Sequence, residues 1–345
     1  MMSTANPHSD ALTRLPALVA HCDWGSQPSK RWIAIATRQS GIYTAYAPQP
    51  VGEMETLLHR LRRQAPREAA ILVGFDFPIG LPEAYARLAG IESFPAFLQT
   101  ITGPENGSSE FRWSHFHEVC TDESEIALER PFYPARPGTA RRDAIHEALG
   151  LPSRNDLYRE CELRHAERTN ACSLFWTLGG NQVGKSALLG WHGVIGPELR
   201  RKPESMRLWP FDGELKALLQ PGVTIATETY PTEYHKRIFG QALRGKRYAA
   251  KRREIAPAWL ETAHRCGIRI DRKLRRQILS GFTESNLEDV NRRDENDDAM
   301  DATIGLFGML ASLHDYGGRM EPRDEKIRRI EGWILGLEHP LPVCE

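Results

Sequence analysis

The sequence is informative first for what it lacks. Its six cysteines form no CxxC pair and no zinc-type spacing, and scattered single thiols of this kind fit a reducing cytosol. No stretch approaches the eighteen or so uninterrupted apolar residues of a transmembrane helix. The amino-terminal segment also has no apolar core of the kind that a secretory signal carries. We therefore expect a soluble, cytoplasmic protein.

The chain also has no net charge at neutral pH. Lys+Arg 45 balances Asp+Glu 45, so any affinity for nucleic acid must come from a local patch. Basic residues are dense between Lys236 and Arg276, and the stretch that follows, from Glu284 to Asp298, is acidic. A basic region beside an acidic site suits a nuclease, because cations hold the phosphate backbone. The alternative is an ordinary solvated helix face.

Hydrophobic patterning predicts an α/β fold. Three strands around 16–25, 31–38 and 41–48 are joined by short turns and must be antiparallel, because a parallel pair needs a long crossover. A helix over 54–63 then crosses to a buried strand around 69–78, which is free to lie parallel to the first strand. Later elements are a strand near 221–231 and helices near 232–240, 246–265, 271–280 and 297–315.

The domain organisation follows from these elements. Residues 1–15 are predicted to be a flexible amino-terminal segment, and residues 16–345 a single domain. Within that domain, residues at about 83–215 are heterogeneous and are interpreted as a mostly helical insertion, with helical pieces near 95–101, 143–150 and 155–168. No internal repeat or low-complexity tract is visible.

Carboxylates stand where a catalytic site is expected. Three predicted strands end at Asp23, Asp76 and Glu228, and in an open α/β sheet ligands gather beyond the carboxyl ends of the parallel strands. Asp298 and Asp301, at i and i+3, share one face of the last helix. Converging carboxylates repel one another, and Mg²⁺ or Mn²⁺ relieves that repulsion. Two such ions can drive hydrolysis of a phosphodiester. For any single acid, a helix cap or turn role is the alternative.

This order of strands and acids resembles the ribonuclease-H-like superfamily. More narrowly, "FDFPIGLP", "ETYPTEYHKR" and "DDAMDA" resemble a bacterial family of predicted ribonuclease-H-like nucleases catalogued as domain of unknown function 429. The resemblance covers most of the chain, with 83–215 matching less closely. It implies a mixed five-stranded sheet flanked by helices, with the first and fourth strands adjacent at its centre and Asp23 beside Asp76. It also implies metal-dependent phosphodiester cleavage.

A second motif points elsewhere. "GGNQVGKS", from Gly179 to Ser186, has the spacing of a phosphate-binding P-loop, in which Lys185 would meet phosphate oxygens and Ser186 would hold Mg²⁺. The strand that ends in an acid lies upstream of this motif, whereas P-loop domains place it downstream. We therefore interpret the segment as a glycine-rich turn that opens a helix. A nucleotide-binding phosphotransfer enzyme or NTPase stays an alternative function, and a non-catalytic binding protein with a ribonuclease-H-like fold is a third.

Cations and aromatic residues define an expected nucleic-acid surface, for DNA or RNA. Trp24 and Tyr230 adjoin the acids and are candidates for stacking on a base, although core packing is the more common use. His21 and His235 also lie near the acids, and a hydrogen-bonded structural role is favoured for both. The predicted substrate-binding cations are Lys185, Lys236, Arg237, Lys246, Arg247 and Arg141, with Arg130, Arg136 and Arg142 in the loop that would form the opposite wall.

Overall fold

The structure is a computed structural model that describes residues 15–104, 108, 110–133, 144–165, 168–178, 182–283 and 297–340. The amino-terminal segment expected to be flexible lies outside this part of the chain, apart from Leu15. Arg136, Arg141 and Arg142 also lie outside the described residues.

The strands, in chain order, are β1 Leu18–Trp24, β2 Arg31–Gln39, β3 Ile42–Ala45, β4 Gln49–Pro50, β5 Ile71–Phe75, β6 Met206–Leu208, β7 Thr224–Glu228 and β8 Ile268–Ile270. They form one mixed sheet of eight strands in the order β6-β7-β5-β1-β2-β3-β8, with β4 paired to β2.

The helices, in chain order, are α1 Leu57–Gln64, α2 Glu83–Ala89, α3 Phe94–Ile101, α4 Ala144–Ala148, α5 Val183–Gly190, α6 Gly196–Arg201, α7 Leu215–Leu218, α8 Pro231–Phe239, α9 Ala249–Glu254, α10 Ala256–Arg265, α11 Arg272–Ser280 and α12 Asp297–His314. Short 3₁₀ and π turns lie between them. Among the described residues, no helix has both the length and the apolar character needed to cross a bilayer.

The pairing of the central strands confirms the predicted β-β-β-α-β unit. β1 pairs with β2 and β2 with β3, both antiparallel. After the crossover through α1, β5 lies parallel to β1, and β7 lies parallel to β5. Five strands were expected; β4, β6 and β8 are additional and only two or three residues long. Such short strands carry too few residues for a period-two pattern to stand out.

Successive side chains along the strands pack into two hydrophobic cores, one on each face of the sheet. Leu18, Ala20 and Cys22 of β1 pack in the core that also contains α1 and much of 83–215. Val19, between them, packs in the core on the opposite face with α8, α10 and α12. The alternation follows from the pleat, which points successive side chains to opposite faces. The insertion therefore covers one face of the sheet, and the carboxyl-terminal helices cover the other.

Helix α12 packs directly on β1 and β2, as its alternation of small and large apolar residues predicted. At the point of closest approach, a Cβ on Gly305 would lie 2.1 Å from the ring of His21. Only a glycine fits there, because no real side chain tolerates such a contact. This close packing sets the height of α12 above the sheet and so fixes where its first turn begins.

Of the three helices predicted within the insertion, two are present and one is not. The helices near 95–101 and 143–150 are confirmed as α3 and α4. The helix expected over 155–168 is wrong: two 3₁₀ turns, Arg154–Leu157 and Glu160–Glu162, stand on either side of an extended Tyr158 and Arg159. The extended backbone directs the Arg159 side chain into the protein, where it is fully buried and bonds acids from distant segments.

Candidate functional site

The three strand-end acids meet at one edge of the sheet. In the parallel pairing, Cys22 of β1 aligns with Phe75 of β5, and Phe75 aligns with Glu228 of β7. Asp23 and Asp76 each follow one of these aligned residues, and the Asp76 amide donates to the Cys22 carbonyl at 3.0 Å. Their side chains share a hydrogen bond. The expected adjacency of Asp23 and Asp76 is therefore present.

Helix α12 adds two acids to the same edge. Asp298 and Asp301 lie in its first turns, and both interact electrostatically with Asp23. Oδ1 of Asp301 is buried and has no hydrogen-bond partner among the residues that the structure describes. A carboxylate oxygen left unsatisfied in this way is uncommon in folded proteins, since buried polar atoms nearly always find partners.

Burial and mutual repulsion keep these acids protonated to unusually high pH. Burial, together with the charge of Asp301, raises the pKa of Asp76 to about 7. Burial also raises the pKa of Asp23 well above its usual range, with Asp301, Asp76 and Asp298 adding to the effect. Titratable groups with strongly shifted pKa values inside a cleft are typical of functional sites.

Three of the five predicted acids are paired with cations of the same chain. Lys246 donates from Nζ to Oδ2 of Asp301. Lys30 lies 3.1 Å from Oδ2 of Asp298. The Glu228 carboxylate accepts two hydrogen bonds from Arg159, at 2.6 and 2.7 Å.

Because of these pairings, the five predicted acids do not together form a metal-binding cluster in the described residues. In the part of the chain that the structure describes, no group of three or more His, Cys, Asp or Glu side chains is arranged to hold a metal ion. The ion pairs give a physical reason, because the paired acids point toward the cations. Glu228 is the clearest case, since both of its carboxylate oxygens are already bonded to one guanidinium.

Arg159 is the site residue that sequence reasoning missed. Its Nε donates to Glu162 at 2.9 Å and its Nη1 to the Glu331 carbonyl at 3.0 Å, besides the two bonds to Glu228. The backbone amide of Ile79 also donates to Glu228, at 2.7 Å. No local motif marks Arg159 as a site residue, because its bonds to Glu228 and Glu331 span 69 and 172 residues of the chain.

A cavity of about 710 Å³ opens over this edge of the sheet. Four of the five acids line it: Asp23, Asp76, Glu228 and Asp298. Its other walls come from the turn after β1, from the insertion, from the link between β7 and α8 and from the segment before α9; they include Lys30, Arg159, Gln182, Ser186, Tyr230 and Arg247. The volume is in the range of small-ligand pockets.

The two aromatic residues predicted to adjoin the acids both line the cavity. Trp24 is buried and packs against Phe75 and Phe77, at 5.8 and 5.6 Å between ring centroids. Within the described part of the chain, its Nε1 nevertheless has no hydrogen-bond partner, and neither does the buried Oγ1 of Thr229. The guanidinium of Arg168 lies 5.6 Å from the ring of Tyr230. Core packing thus buries Trp24, while one polar atom each of Trp24 and Thr229 lacks a partner among the described residues.

The predicted cations divide into two groups. Lys246 and Arg247 lie at the site, one bonded to Asp301 and the other in the cavity wall. Arg237 instead pairs with Asp315, which follows the far end of α12. At about 1.5 Å of rise per helical residue, Asp315 lies roughly 20 Å from Asp301.

Three further predicted cations that lie within the described residues do not line the cavity either. Lys236 is exposed on α8, one residue before Arg237, and Lys185 is absent from the lining although the next residue, Ser186, belongs to it. Arg130 forms ion pairs with Glu118 and Glu125. The position of Arg141 is not described.

The part of the P-loop motif that the structure describes does not form a phosphate-binding loop. Residues 171–178, which precede the motif, form no strand, and 179–181 lie outside the described part. The amide of Gly184 donates to the carbonyl of Trp176 at 3.0 Å, whereas a P-loop turns such amides toward phosphate. A Cβ on Gly184 would lie 2.7 Å from the Leu174 carbonyl, so close packing explains this glycine.

The two histidines near the acids are neutral. Burial lowers the pKa of His21 to about 3, and its Nδ1 bonds the carbonyl of Ala302 at 3.1 Å. Burial also lowers the pKa of His235 to about 4, and its Nδ1 accepts from the amide of Leu243 at 3.4 Å. Both histidines therefore make structural contacts.

Comparison with family models, with curated proteins and with solved structures finds no match to this chain.

Proposed function

We propose that this protein is a metal-dependent nuclease of the ribonuclease-H-like kind. Five of the eight strands, in the order β3-β2-β1-β5-β7, have the arrangement that the sequence resemblance implies. The first and fourth of these five in chain order, β1 and β5, are adjacent, and the last long helix brings acids to the same edge. This agreement supports the resemblance on grounds of topology.

The observation that carries the proposal is the group formed by Asp23, Asp76 and Asp301. The first two share a hydrogen bond, and the third has a buried oxygen that finds no partner in the described residues. Oxygen donors alone select hard ions such as Mg²⁺ or Mn²⁺. To hold the cation these three side chains would have to turn toward it, since no group of three is arranged around an ion in the described residues; the ion would supply an activated water and stabilise the leaving oxygen.

Other residues of the chain would serve the substrate. Arg247, in the cavity wall, is placed to meet a backbone phosphate. The unpartnered Nε1 of Trp24 and Oγ1 of Thr229 offer hydrogen bonds to a sugar or a base. A nucleic acid is therefore the proposed partner, with phosphate contacts for affinity and the acids for chemistry.

The test is cleavage by protein supplied with Mg²⁺ or Mn²⁺, using single-stranded, duplex and branched DNA together with RNA. The wild type is expected to cut at least one substrate, and Asp23→Asn and Asp76→Asn to lose activity by 100-fold or more. Asp315→Asn, beyond the far end of α12, is the matched control and should keep full activity. Wild-type cleavage that persists in both active-site variants would overturn the proposal.

A non-catalytic role is the second candidate, and one observation favours it. Lys246, Lys30 and Arg159 each already neutralise an acid of the site. If these cations are permanent, the acids serve stability or the binding of a partner. Titration with Mn²⁺ separates the two candidates: a metal site raises the melting temperature saturably, and the Asp23→Asn/Asp76→Asn double variant should lack that rise.

A further inference from the structure

A second cavity, of about 560 Å³, adjoins the one that lies over the strand-end acids. Ala171 and Cys172 line both cavities, so the two meet along this stretch of main chain. The extended segment at Tyr158 and Arg159 also borders both, since Arg159 lines the first cavity and Tyr158 the second. Successive side chains of an extended backbone point to opposite sides. A polymeric ligand that reaches the acids can therefore continue into the second cavity.

The two cavities differ in the charge of their walls. Acids line the first, whereas none of the described residues around the second is an Asp or a Glu. Two exposed arginines, Arg154 and Arg164, belong to the second wall. A guanidinium keeps its charge at any physiological pH and can bond two phosphate oxygens at once. The second cavity therefore favours an anion, and the phosphodiester backbone is the anion that suits the proposed function.

Two aromatic residues complete the wall of the second cavity. Trp176 is half-buried, and its indole stacks on Tyr133 with 4.9 Å between ring centroids and an interplanar angle of 26°. Tyr158, also half-buried, is the other. Proteins that bind single-stranded nucleic acid combine cations for the backbone with aromatic rings on which bases stack. The second cavity contains both kinds of group.

A network of hydrogen bonds holds the loop that carries Arg164. Nη1 of Arg168 donates to the carbonyls of Leu163 and Thr169, at 3.2 and 2.9 Å. Nε of the same arginine donates to Glu233 at the start of α8. The loop is thus fastened to a helix of the sheet core, and the position of the Arg164 main chain is set before any ligand binds.

Arg154 is positioned by a capped turn. It begins the 3₁₀ turn Arg154–Leu157, in which Oγ of Ser153 accepts from the amide of Asn155 at 3.0 Å. The carboxylate of Asp156 accepts from the amide of Ser153 at 2.9 Å. The acid nearest to Arg154 in the chain is therefore used as a cap and does not line the cavity.

We infer that the second cavity binds an unpaired nucleotide of the substrate, with its base against Trp176 and its phosphate beside Arg154 and Arg164. A base within a duplex is already stacked between its neighbours, so only an unpaired base can lie on an indole ring. The inference rests on the proposed nuclease function and names its substrate class: a single strand, or the single-stranded part of a larger nucleic acid.

The experiment measures binding of fluorescein-labelled oligonucleotides to the full-length protein by fluorescence anisotropy, with a chelator present so that binding is separated from metal-dependent cleavage. The probes are a DNA and an RNA single strand of about ten nucleotides, a length typical of single-strand sites, and the blunt DNA duplex of the same sequence. The wild type should bind at least one single strand more tightly than the duplex. Trp176→Ala should bind that strand roughly 5- to 150-fold more weakly, as expected for the loss of one stacked base. Trp176→Phe retains an aromatic ring and should keep most of the affinity.

Arg164→Gln tests the phosphate contact at an exposed position, where a substitution does not disturb the core. Its affinity should be lower than that of the wild type and less sensitive to salt. The slope of log Kd against log salt should fall by about 0.7 for one lost phosphate contact. Arg63→Gln is the matched control, because Arg63 is exposed on α1 and lines neither cavity. Its affinity and salt slope should equal those of the wild type.

The possible failures of the two proposals differ. Wild-type affinity in both Trp176→Ala and Arg164→Gln, or tighter binding of the duplex than of the single strands, would overturn the inference. The nuclease proposal would still stand, because the cleavage assays of Asp23→Asn and Asp76→Asn decide it separately. Binding that depends on Trp176 and Arg164, in a protein that cuts no substrate, would keep the single-strand site and refute the nuclease. Melting curves establish that each variant is folded.

Discussion

Arg159 and Glu228 face each other inside the protein, with Nη1 2.6 Å from Oε2 and Nη2 2.7 Å from Oε1. Arg159 comes from the insertion and Glu228 from the end of β7, so this pair ties the insertion to the edge of the sheet where the strand-end acids meet. The same guanidinium also bonds Glu162. One buried cation therefore compensates two buried acids.

Removing this arginine should destabilise the protein strongly. In Arg159→Met the acids Glu228 and Glu162 keep their burial and lose their partner, and breaking a buried pair in this way costs about 3–5 kcal/mol. Urea unfolding measures the loss. In the Arg159→Met/Glu228→Gln double variant a substantial part should return, since one unpaired charge is gone.

The matched control for this prediction is Arg237→Met. Arg237 pairs with Asp315 near the surface at 3.4 Å, and exposed pairs contribute about 0–1 kcal/mol. Equal losses in Arg159→Met and Arg237→Met would contradict the buried role of Arg159.

Asp76 should make the metal-free protein less stable as the pH rises. Its folded-state pKa, about 7, exceeds the usual value of 3.8, so the folded protein holds this proton more tightly than the unfolded chain does. Protonated Asp76 therefore contributes to the free energy of unfolding. This contribution is complete below about pH 4, falls as the pH rises to about 7 and is gone above that. Each unit of pKa difference corresponds to about 1.4 kcal/mol.

The measurement compares wild type with Asp76→Asn in urea unfolding from pH 4.5 to 8 with a chelator present. The variant should gain stability relative to wild type as the pH rises, because asparagine never acquires the buried charge. A difference between the two proteins that stays constant over this range would contradict the raised pKa.

Gly305→Ala should weaken the packing of α12 on the sheet. Its Cβ would lie 2.1 Å from the ring of His21, and relieving such overpacking typically costs about 1–3 kcal/mol. The helix must move away from β1, which also displaces Asp298 and Asp301. We expect a lower melting temperature together with weaker Mn²⁺ binding.

Gly317→Ala is the control for that substitution. Gly317 is exposed, and the nearest atom to an added Cβ is the Asp315 carbonyl oxygen at 3.9 Å. It should melt close to the wild type. If Gly305→Ala also melts at the wild-type temperature, the added Cβ does not clash with β1 and the predicted close packing of α12 is wrong.

Mg²⁺-ATP should leave the melting temperature unchanged, and Lys185→Ala should not alter that result. The amide of Gly184 is already bonded to Trp176, and no strand leads into the motif from residues 171–178. A large ATP-dependent rise that disappears in Lys185→Ala would instead establish a nucleotide site and reverse the ranking of the proposed functions.

Local patterning was enough to predict the central strands, the crossover helix α1 and the acids at the strand ends, whereas the placement of Asp23 beside Asp76 was implied by the family resemblance. Each depends on a run of neighbouring residues: an apolar stretch that ends in an acid, short turns, or small residues at helical spacing. Parallel pairing then brings the ends of β1 and β5 together, whatever the rest of the chain does.

The charge state of the site was decided only in three dimensions. Lys246 meets Asp301 across 55 residues, and Arg159 meets Glu228 across 69, so no spacing in the chain marks either pair. Residues 155–168 illustrate the cause: their local pattern favours a helix, but an extended Arg159 gains a buried ionic partner that the helix would not provide. The sequence by itself determined which acids share an edge, and tertiary contacts, which depend on distances between remote segments, decided which of those acids are paired with a cation of the chain.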